Sequence, residues 1–307
     1  IPEYQVSIRD IDLSLVRGAY KIKDFDLKKK TAEVPVPFFS AKEADLSIEW
    51  RALFQGKAVG EIILSQPIIN FTASTENGED QLAIDGEWLE SVKDLFPLRI
   101  NYFEIQNGEI HYRDFESTPK VNLTLNRVSL KGRNFSNTRS AVEGLHATIE
   151  GSGYAENISI VRVNAAIQPA ASSPNFKVET TLKEFPLVKA NDFIKAYAAV
   201  DAADGTLDIY SEISAKEGKI DGYVKPLIQD LQIVSLKQEN NPLVLFWETL
   251  VSVVIEVFTN QRKDQFGMMV RFSGDVHNPD TSSWKTFGSI LRNAFIEALK
   301  PGVGEKK

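Results

Sequence analysis

The sequence has no cysteine in 307 residues. That excludes disulfides, thiolate metal sites and a cysteine nucleophile. Histidine is nearly missing as well. His111, His146 and His277 are the only three, and no two stand at metal-ligand spacing. Basic charge is not in excess: 35 Lys and Arg against 42 Asp and Glu leave a formal net charge of −7. That is the wrong sign for wrapping nucleic acid. No apolar run reaches the roughly 18 to 20 residues of a membrane span. The longest, Pro242 to Phe258, carries Glu248 and Glu256. Carboxylate pairs such as Asp24 and Asp26, or Asp201 and Asp204, fall near turns and strand ends. They read as solvated surface more readily than as a glycosidase pair. Lys28, Lys29 and Lys30 read as a solvated hairpin tip, or as a contact for anionic headgroups. No enzyme, cofactor, metal or nucleic acid is expected. The 43% of apolar residues must nevertheless be buried against something.

Most of the first 240 residues alternate like strands. Leu46, Ile48 and Trp50 alternate with polar neighbours, and so do Ile62 and Leu64. The pattern returns at Val121, Leu123 and Leu125, at Val161 and Val163, at Phe176 and Val178, and at Leu207 and Ile209. Successive side chains on a strand point to opposite faces, so each run has one apolar and one wet face. Asn107-Gly108, Asp204-Gly205 and Glu217-Gly218 suit tight turns, because such pairs supply positive φ. An antiparallel meander is expected, with hairpins at Asn107-Gly108 and Glu217-Gly218 and a turn at Asp204-Gly205. In the first strand the apolar positions slip by one, from Tyr4, Val6 and Ile8 to Ile11, Leu13 and Leu15. A one-residue slip predicts a β-bulge, which bends and twists the strand. Lys57 to Phe71 is long, with Gly60 and Pro67 as its interruptions. Long, bent, one-sided strands predict a mainly β fold: an elongated, strongly curved antiparallel sheet forming a groove. About fourteen such strands at about 4.8 Å would extend roughly 65 Å.

Helices are few. Leu89 to Leu95 and Leu187 to Ala198 are candidates. Near the C-terminus the periodicity predicts two more, Pro242 to Phe258 and Ser283 to Leu299, with a strand between them from Phe266 to Gly274. The first of these is apolar almost all round, with Phe246, Trp247, Leu250, Val254 and Phe258, and must be buried on most sides. It either fills the concavity as core or closes one end of a groove. The chain therefore divides into a sheet body, 1–240, and a helix-strand-helix region, 241–307, within one continuous unit.

The stretch Ala44 to Phe71 resembles the N-terminal signature of AsmA-like proteins, the group that includes TamB. A strand ends at Trp50, a step with Leu53, Phe54 and Gly56 follows, and the next strand carries Val59, Ile62, Leu64, Pro67 and Ile69. Asp204 to Ile209, Gly218 to Gly222, Gly274 to Pro279 and Leu291 to Phe295 resemble later parts of the same family. The resemblance implies an N-terminal inner-membrane anchor ahead of Ile1 and a periplasmic β-rich body. It also implies a role in envelope biogenesis, with a hydrophobic groove for phospholipid or another acyl-chain lipid. It carries over no catalytic residue.

On this reading the expected groove lining is Leu46, Ile48, Trp50, Ile62, Leu64, Leu123, Leu125, Val161, Val163, Phe176, Val178, Leu207 and Ile209. The closing helix supplies Phe246, Trp247, Leu250, Val254 and Phe258. The alternative is a scaffold that docks other envelope proteins without lipid.

Overall fold

The computed structural model describes residues 4–14, 16, 18–30, 35–48, 59–73, 99–135, 147–168, 175–198, 200–217, 219–235, 265–267 and 269–275. Its strands all lie in one open sheet. They are β1 (Tyr4–Ser14), β2 (Ala19–Lys29), β3 (Phe39–Ile48), β4 (Val59–Ala73), β5 (Arg99–Asp114), β6 (Val121–Arg133), β7 (Ala147–Ala155), β8 (Ser159–Ile167), β9 (Phe176–Pro186), β10 (Val200–Lys216), β11 (Lys219–Ser235), β12 (Gln265–Gly267) and β13 (Val270–Asp275). Spatial order follows chain order, with β12 and β13 both on β11. Leu227 pairs with Gly267 and Val224 with Val270, which is one continuous register. β12 and β13 are thus two pieces of a single last strand. The break falls beside Pro226, which has no N–H for a ladder.

The mainly β expectation holds, with four differences. First, the pair β4–β5 is parallel, whereas all other neighbours are antiparallel. A parallel pair needs a long crossover, and residues 74–98 provide it. Second, Asn107-Gly108 is not a hairpin: β5 runs straight through it. Third, Asp204-Gly205 also lies inside a strand, β10. In both places the positive φ is used by an irregularity within a strand instead of a turn. Glu217-Gly218 does join a hairpin, with Lys216 opposite Lys219 and Glu217 at φ 50°. Fourth, the slip in β1 is not a lone bulge. Ile8 pairs with Phe25 and Asp10 with Lys23, so β2 carries the same extra residue at the same place.

That matched irregularity recurs across the sheet. Regular pairing lapses around Asp24 on β2, Lys42 on β3 and Gln66 on β4. It lapses again at Asn107 on β5, Arg127 on β6, Glu184 on β9, Gly205 on β10 and Asp230 on β11. The register sets those of β2 to β6 side by side in one row; β7 and β8 pair regularly throughout, Glu184 lies beside Asp208, and Gly205 and Asp230 fall about three residues further along. Backbone φ is left-handed at Asp24 (45°), Gln66 (50°), Asn107 (53°), Arg127 (50°), Glu184 (52°) and Asp230 (52°), and reaches 130° at Gly205. On both sides of the row the strand alternation resumes one residue out of phase. Tyr20 and Ile22 give way to Phe25 and Leu27, and Ile62 and Leu64 to Pro67 and Ile69. The extra residue therefore keeps the apolar side chains on one face. Gly108 shows this directly: a Cβ there would meet Ile105 Cγ2 at 2.9 Å and Pro67 Cγ at 3.1 Å, residues from opposite sides of the row. Pro67 can sit inside a central strand because it borders this irregularity.

The β7–β8 hairpin is short and ends just past the row, its tip turned by Glu156 and Asn157 at φ 49° and 59°. The gap beyond that tip is filled by a 3-10 turn (Leu187–Ala190) and by α1 (Asn191–Ala198), within the helix expected over Leu187 to Ala198. Leu187 and Ala190 are buried with Phe185, Ala202 and Leu207, and Leu123 and Ile194 pack against them. The Phe193 ring lies edge-on to Tyr112, centroids 6.1 Å apart. Where β10 runs on past the end of β9, the Asn191 side chain takes the missing strand's place. Its Nδ2 donates to the Ala202 carbonyl (2.9 Å) and its Oδ1 accepts from the Ala202 N–H (2.8 Å). Asp192 in the first turn and Lys195 in the last suit the helix dipole. α1 is the only α-helix among the described residues. The expected helices at Leu89 to Leu95, Pro242 to Phe258 and Ser283 to Leu299 lie outside them.

The row gives a sharp mutational contrast. Asn107→Val, which places a β-branched residue at φ 53°, is expected to cost about 1–2 kcal/mol. Asn107→Gly should stay within about 1 kcal/mol of the parent. Urea unfolding midpoints of the two variants provide the check.

Candidate functional site

Residues directly opposite each other in neighbouring strands project to the same face. Following the register, one row of side chains runs Tyr20, Leu46, Ile62, Phe103. The next runs Ile22, Ala44, Leu64, Ile105 and Leu130. Further along, Ile149 faces Ala165, Ala165 faces Val178, and Val178 faces Ile213. The sequence-expected residues Leu46, Ile48, Ile62, Leu64, Val161, Val163, Phe176 and Val178 all fall on this face. Leu123 and Leu125 join it beyond the row of irregularities. Trp50 and the expected closing residues Phe246, Trp247, Leu250, Val254 and Phe258 lie outside the described residues.

These residues are not equally accessible. Leu46 is 1% exposed and packs with Ala44 and Ile62. Leu207 is buried under the helical segment, with Leu123 and Ile209 packed against the same cluster. Those positions hold the fold together. Ile48, Leu64, Leu125, Val161, Val163, Phe176 and Val178 are only half-buried. So are Ile213, which continues the alternation of Leu207 and Ile209, and Phe103, Ile105, Leu130 and Ile149, which the expected groove lining did not include. Strand alternation at Tyr102 to Ile105 and Thr148 to Glu150 is the signal that finds Phe103, Ile105 and Ile149. Burial on this face also pushes the Tyr20 hydroxyl up from its ordinary value.

The opposite face is polar and laced with ion pairs. Lys21 donates to Glu43 (2.6 Å) and lies 3.4 Å from Asp45. Lys177 bridges Glu179 (2.8 Å) and Glu212 (3.3 Å). Both lysines are raised above their ordinary value, chiefly by hydrogen bonds to Glu43 and Glu179 respectively. The Tyr102 hydroxyl donates to Glu104 Oε2 at 2.6 Å. That bond holds the Glu104 carboxyl below the usual range and raises the phenol. Arg127, in the row, stacks over Tyr154 at 4.0 Å. His111 is buried on this side, with Nε2 3.1 Å from Glu109 and Nδ1 3.3 Å from Asn122. It is built into a structural network, and His146 and His277 lie outside the described residues. No cluster of His, Asp and Glu suited to a metal ion occurs among the described residues. No described helix is long and apolar enough to cross a membrane.

What the arrangement offers chemically is solvation. One face presents CH and CH₃ groups over many strands, and the other presents charge. Nothing among the described side chains assembles a nucleophile with a base.

The Tyr102–Glu104 bond predicts a pH dependence. A carboxylate with a lowered folded pKa adds stability above its unfolded value, and that stability is lost as pH falls through the folded value. Tyr102→Phe should therefore be less stable than the parent at neutral pH, with the difference shrinking on acidification below the carboxylate range. Thermal melts across pH 2–7, with the Glu104 titration followed by carbon NMR, test this; a difference that does not change with pH would refute the assignment. Compared with known proteins, the chain matches no family model and no curated sequence.

Proposed function

We propose that the chain binds acyl chains of phospholipid or a similar lipid along the apolar face of its sheet, as a periplasmic, inner-membrane-tethered protein of envelope biogenesis. One observation carries the reading. The described elements form a single layer, and a half-buried apolar face extends across it from β3 to β10 with only the 3-10 turn and α1 laid over it. A sheet normally buries its apolar face against a second layer. A contiguous apolar face that is only half-covered by its own chain is suited to holding an apolar ligand.

Side chains pack closely over the glycines of this face. A Cβ at Gly151 would meet Ser129 O, Val163 and Leu130 at 3.0–3.3 Å, and one at Gly153 would meet Leu125 and Val128 at 3.1–3.2 Å. Directly opposed Cβ atoms on a sheet ordinarily stand about 4.5–5.5 Å apart. The neighbouring side chains therefore close over the space that the missing Cβ atoms leave. Irregularities in a row bend the strands. Each buried CH₂ of a lipid tail is worth about 0.8 kcal/mol, so partial enclosure of a chain gives useful affinity. Twelve strand positions, eleven intervals of about 4.8 Å, give a sheet about 53 Å long, shorter than the roughly 65 Å expected from sequence, and the apolar face from β3 to β10 takes up about 34 Å of it. That is long enough for several acyl chains side by side. The envelope setting and the membrane tether rest on the sequence resemblance of the Ala44–Phe71 segment.

Val163 and Asn164 are neighbours on β8 that face opposite sides. Protein purified from cells should carry lipid detectable by native mass spectrometry and by extraction. Val163→Asp should lose most of it, and Asn164→Asp should retain it, with both variants checked for an unchanged β-sheet circular dichroism spectrum. Lipid-free protein that takes up no acyl lipid, or equal retention by the two variants, would overturn the reading.

A further inference from the structure

The sheet is open, so it has two edges, and they differ. Sheet edges are usually blunted by shortness, interruption or charge. The far edge follows this rule, since β12 and β13 are short and broken. β1 does not. It is 11 residues long, it has β2 on one side, and no described strand pairs with it on the other. Val6, Ile8, Ile11 and Leu13 are 39%, 41%, 51% and 74% exposed. Its charges, Arg9, Asp10 and Asp12, alternate away from this apolar set.

We propose that β1 pairs antiparallel with β1 of a second copy of this chain, about a two-fold axis between Arg9 and Asp10. The strand is a palindrome about that point. In this register Ile8 faces the partner's Ile11, Val6 faces the partner's Leu13, and Ser7 faces the partner's Asp12. Arg9 faces the partner's Asp10, and symmetry makes that charge pair twice. The interface is therefore isologous, as a two-fold dimer requires.

The phase slip fixes the register. A shift of one residue moves side chains to the opposite face. A shift of two sets Ile8 against Arg9, or Asp10 against Ile11, because the slips in the two strands then fall out of line. Only the palindromic register sets slip against slip, as β1 and β2 already do, where Asp10 pairs with Lys23. The row of irregularities then runs through the interface, and the apolar face continues into the second molecule. The local charges are compatible with this. Arg9 is 2.5 Å from Asp24 and Asp10 is 3.5 Å from Lys23, so the new pairs extend an existing line of alternating sign. Asp10 Oδ1 also accepts from the Ile11 N–H, 2.9 Å away, which satisfies that amide in the single molecule. On pairing, the amide exchanges this bond for one across the seam.

The absence of cysteine makes the test clean. In the proposed register positions 7 and 12 of different copies have Cα atoms about 4.5–5.5 Å apart, within disulfide range. Within one chain the same positions are about 16 Å apart along the strand and cannot close. The full chain should sediment as a concentration-dependent dimer. Mild oxidation should convert Ser7→Cys/Asp12→Cys to a covalent dimer, whereas either single variant, and the off-register Ser7→Cys/Ser14→Cys, whose cysteines would stand about 8 Å apart across the seam, should not be converted. Arg9→Asp should weaken dimerisation about tenfold, from two charge pairs turned repulsive, and Arg9→Asp/Asp10→Arg should restore it. A chain that stays monomeric at every concentration overturns the proposal. So does a dimer in which the 7/12 pair cross-links no better than the off-register pair, since association would then use another surface, such as the β12–β13 edge.

Discussion

The fold depends on keeping one face apolar along strands that do not stay regular. A strand of 15 residues such as β4 accumulates twist, and a row of irregularities relieves it by adding a residue. An added residue would ordinarily turn every later side chain to the wrong face. This chain avoids that by slipping its apolar pattern at the same place in strand after strand. Two consecutive residues off the apolar pattern mark each slip: Arg9-Asp10, Lys23-Asp24, Lys42-Glu43, Ser65-Gln66, Gln106-Asn107, Asn126-Arg127, Lys183-Glu184, Ala203-Asp204 and Gln229-Asp230. The left-handed backbone falls on the second member of most of these pairs. Bulge geometry turns both members to the wet side, so solvent, ion pairs and the Arg127–Tyr154 stack stabilise the site where the ladder is weakest.

The remaining local features follow from that row. β7 and β8 end near it, and a helical segment fills the space they leave. Asn191 succeeds there because a primary amide carries one donor and one acceptor at nearly the spacing of a peptide group. It can therefore stand in for one residue of an absent strand. The buried cluster under α1 is the most enclosed part of the apolar face, and it separates positions that hold the sheet together from those still facing open space.

Much of this was legible in the sequence. Alternation located nearly every described strand and the apolar face, and the slip in β1 was visible as written. What misled was context. Asn107-Gly108 and Asp204-Gly205 supply positive φ, and a single sequence cannot say whether φ is used to reverse a chain or to kink it. The distinguishing sign was available but was applied only to β1: the alternation continues on both sides, out of phase by one. The parallel β4–β5 pair was not legible, because the direction of a returning strand depends on where a 25-residue crossover (residues 74–98) leads and not on the strands themselves. Whether Leu207 lines a groove or packs under a helix likewise depends on tertiary neighbours that its own pattern does not report.

That one parallel pair bears on how the chain assembles. Residues 4–73 form a run of four strands in which each pairs with the next along the chain, and residues 99–235 form another. Either run can grow by adding hairpins, at the small entropic cost of closing short loops. The seam between them cannot, since it must bring β5 back beside β4 over a long excursion, and non-local pairings of this kind slow folding. Between these two runs the pairing is non-local, and until it forms the inner edges of β4 and β5 are strand edges open to other partners.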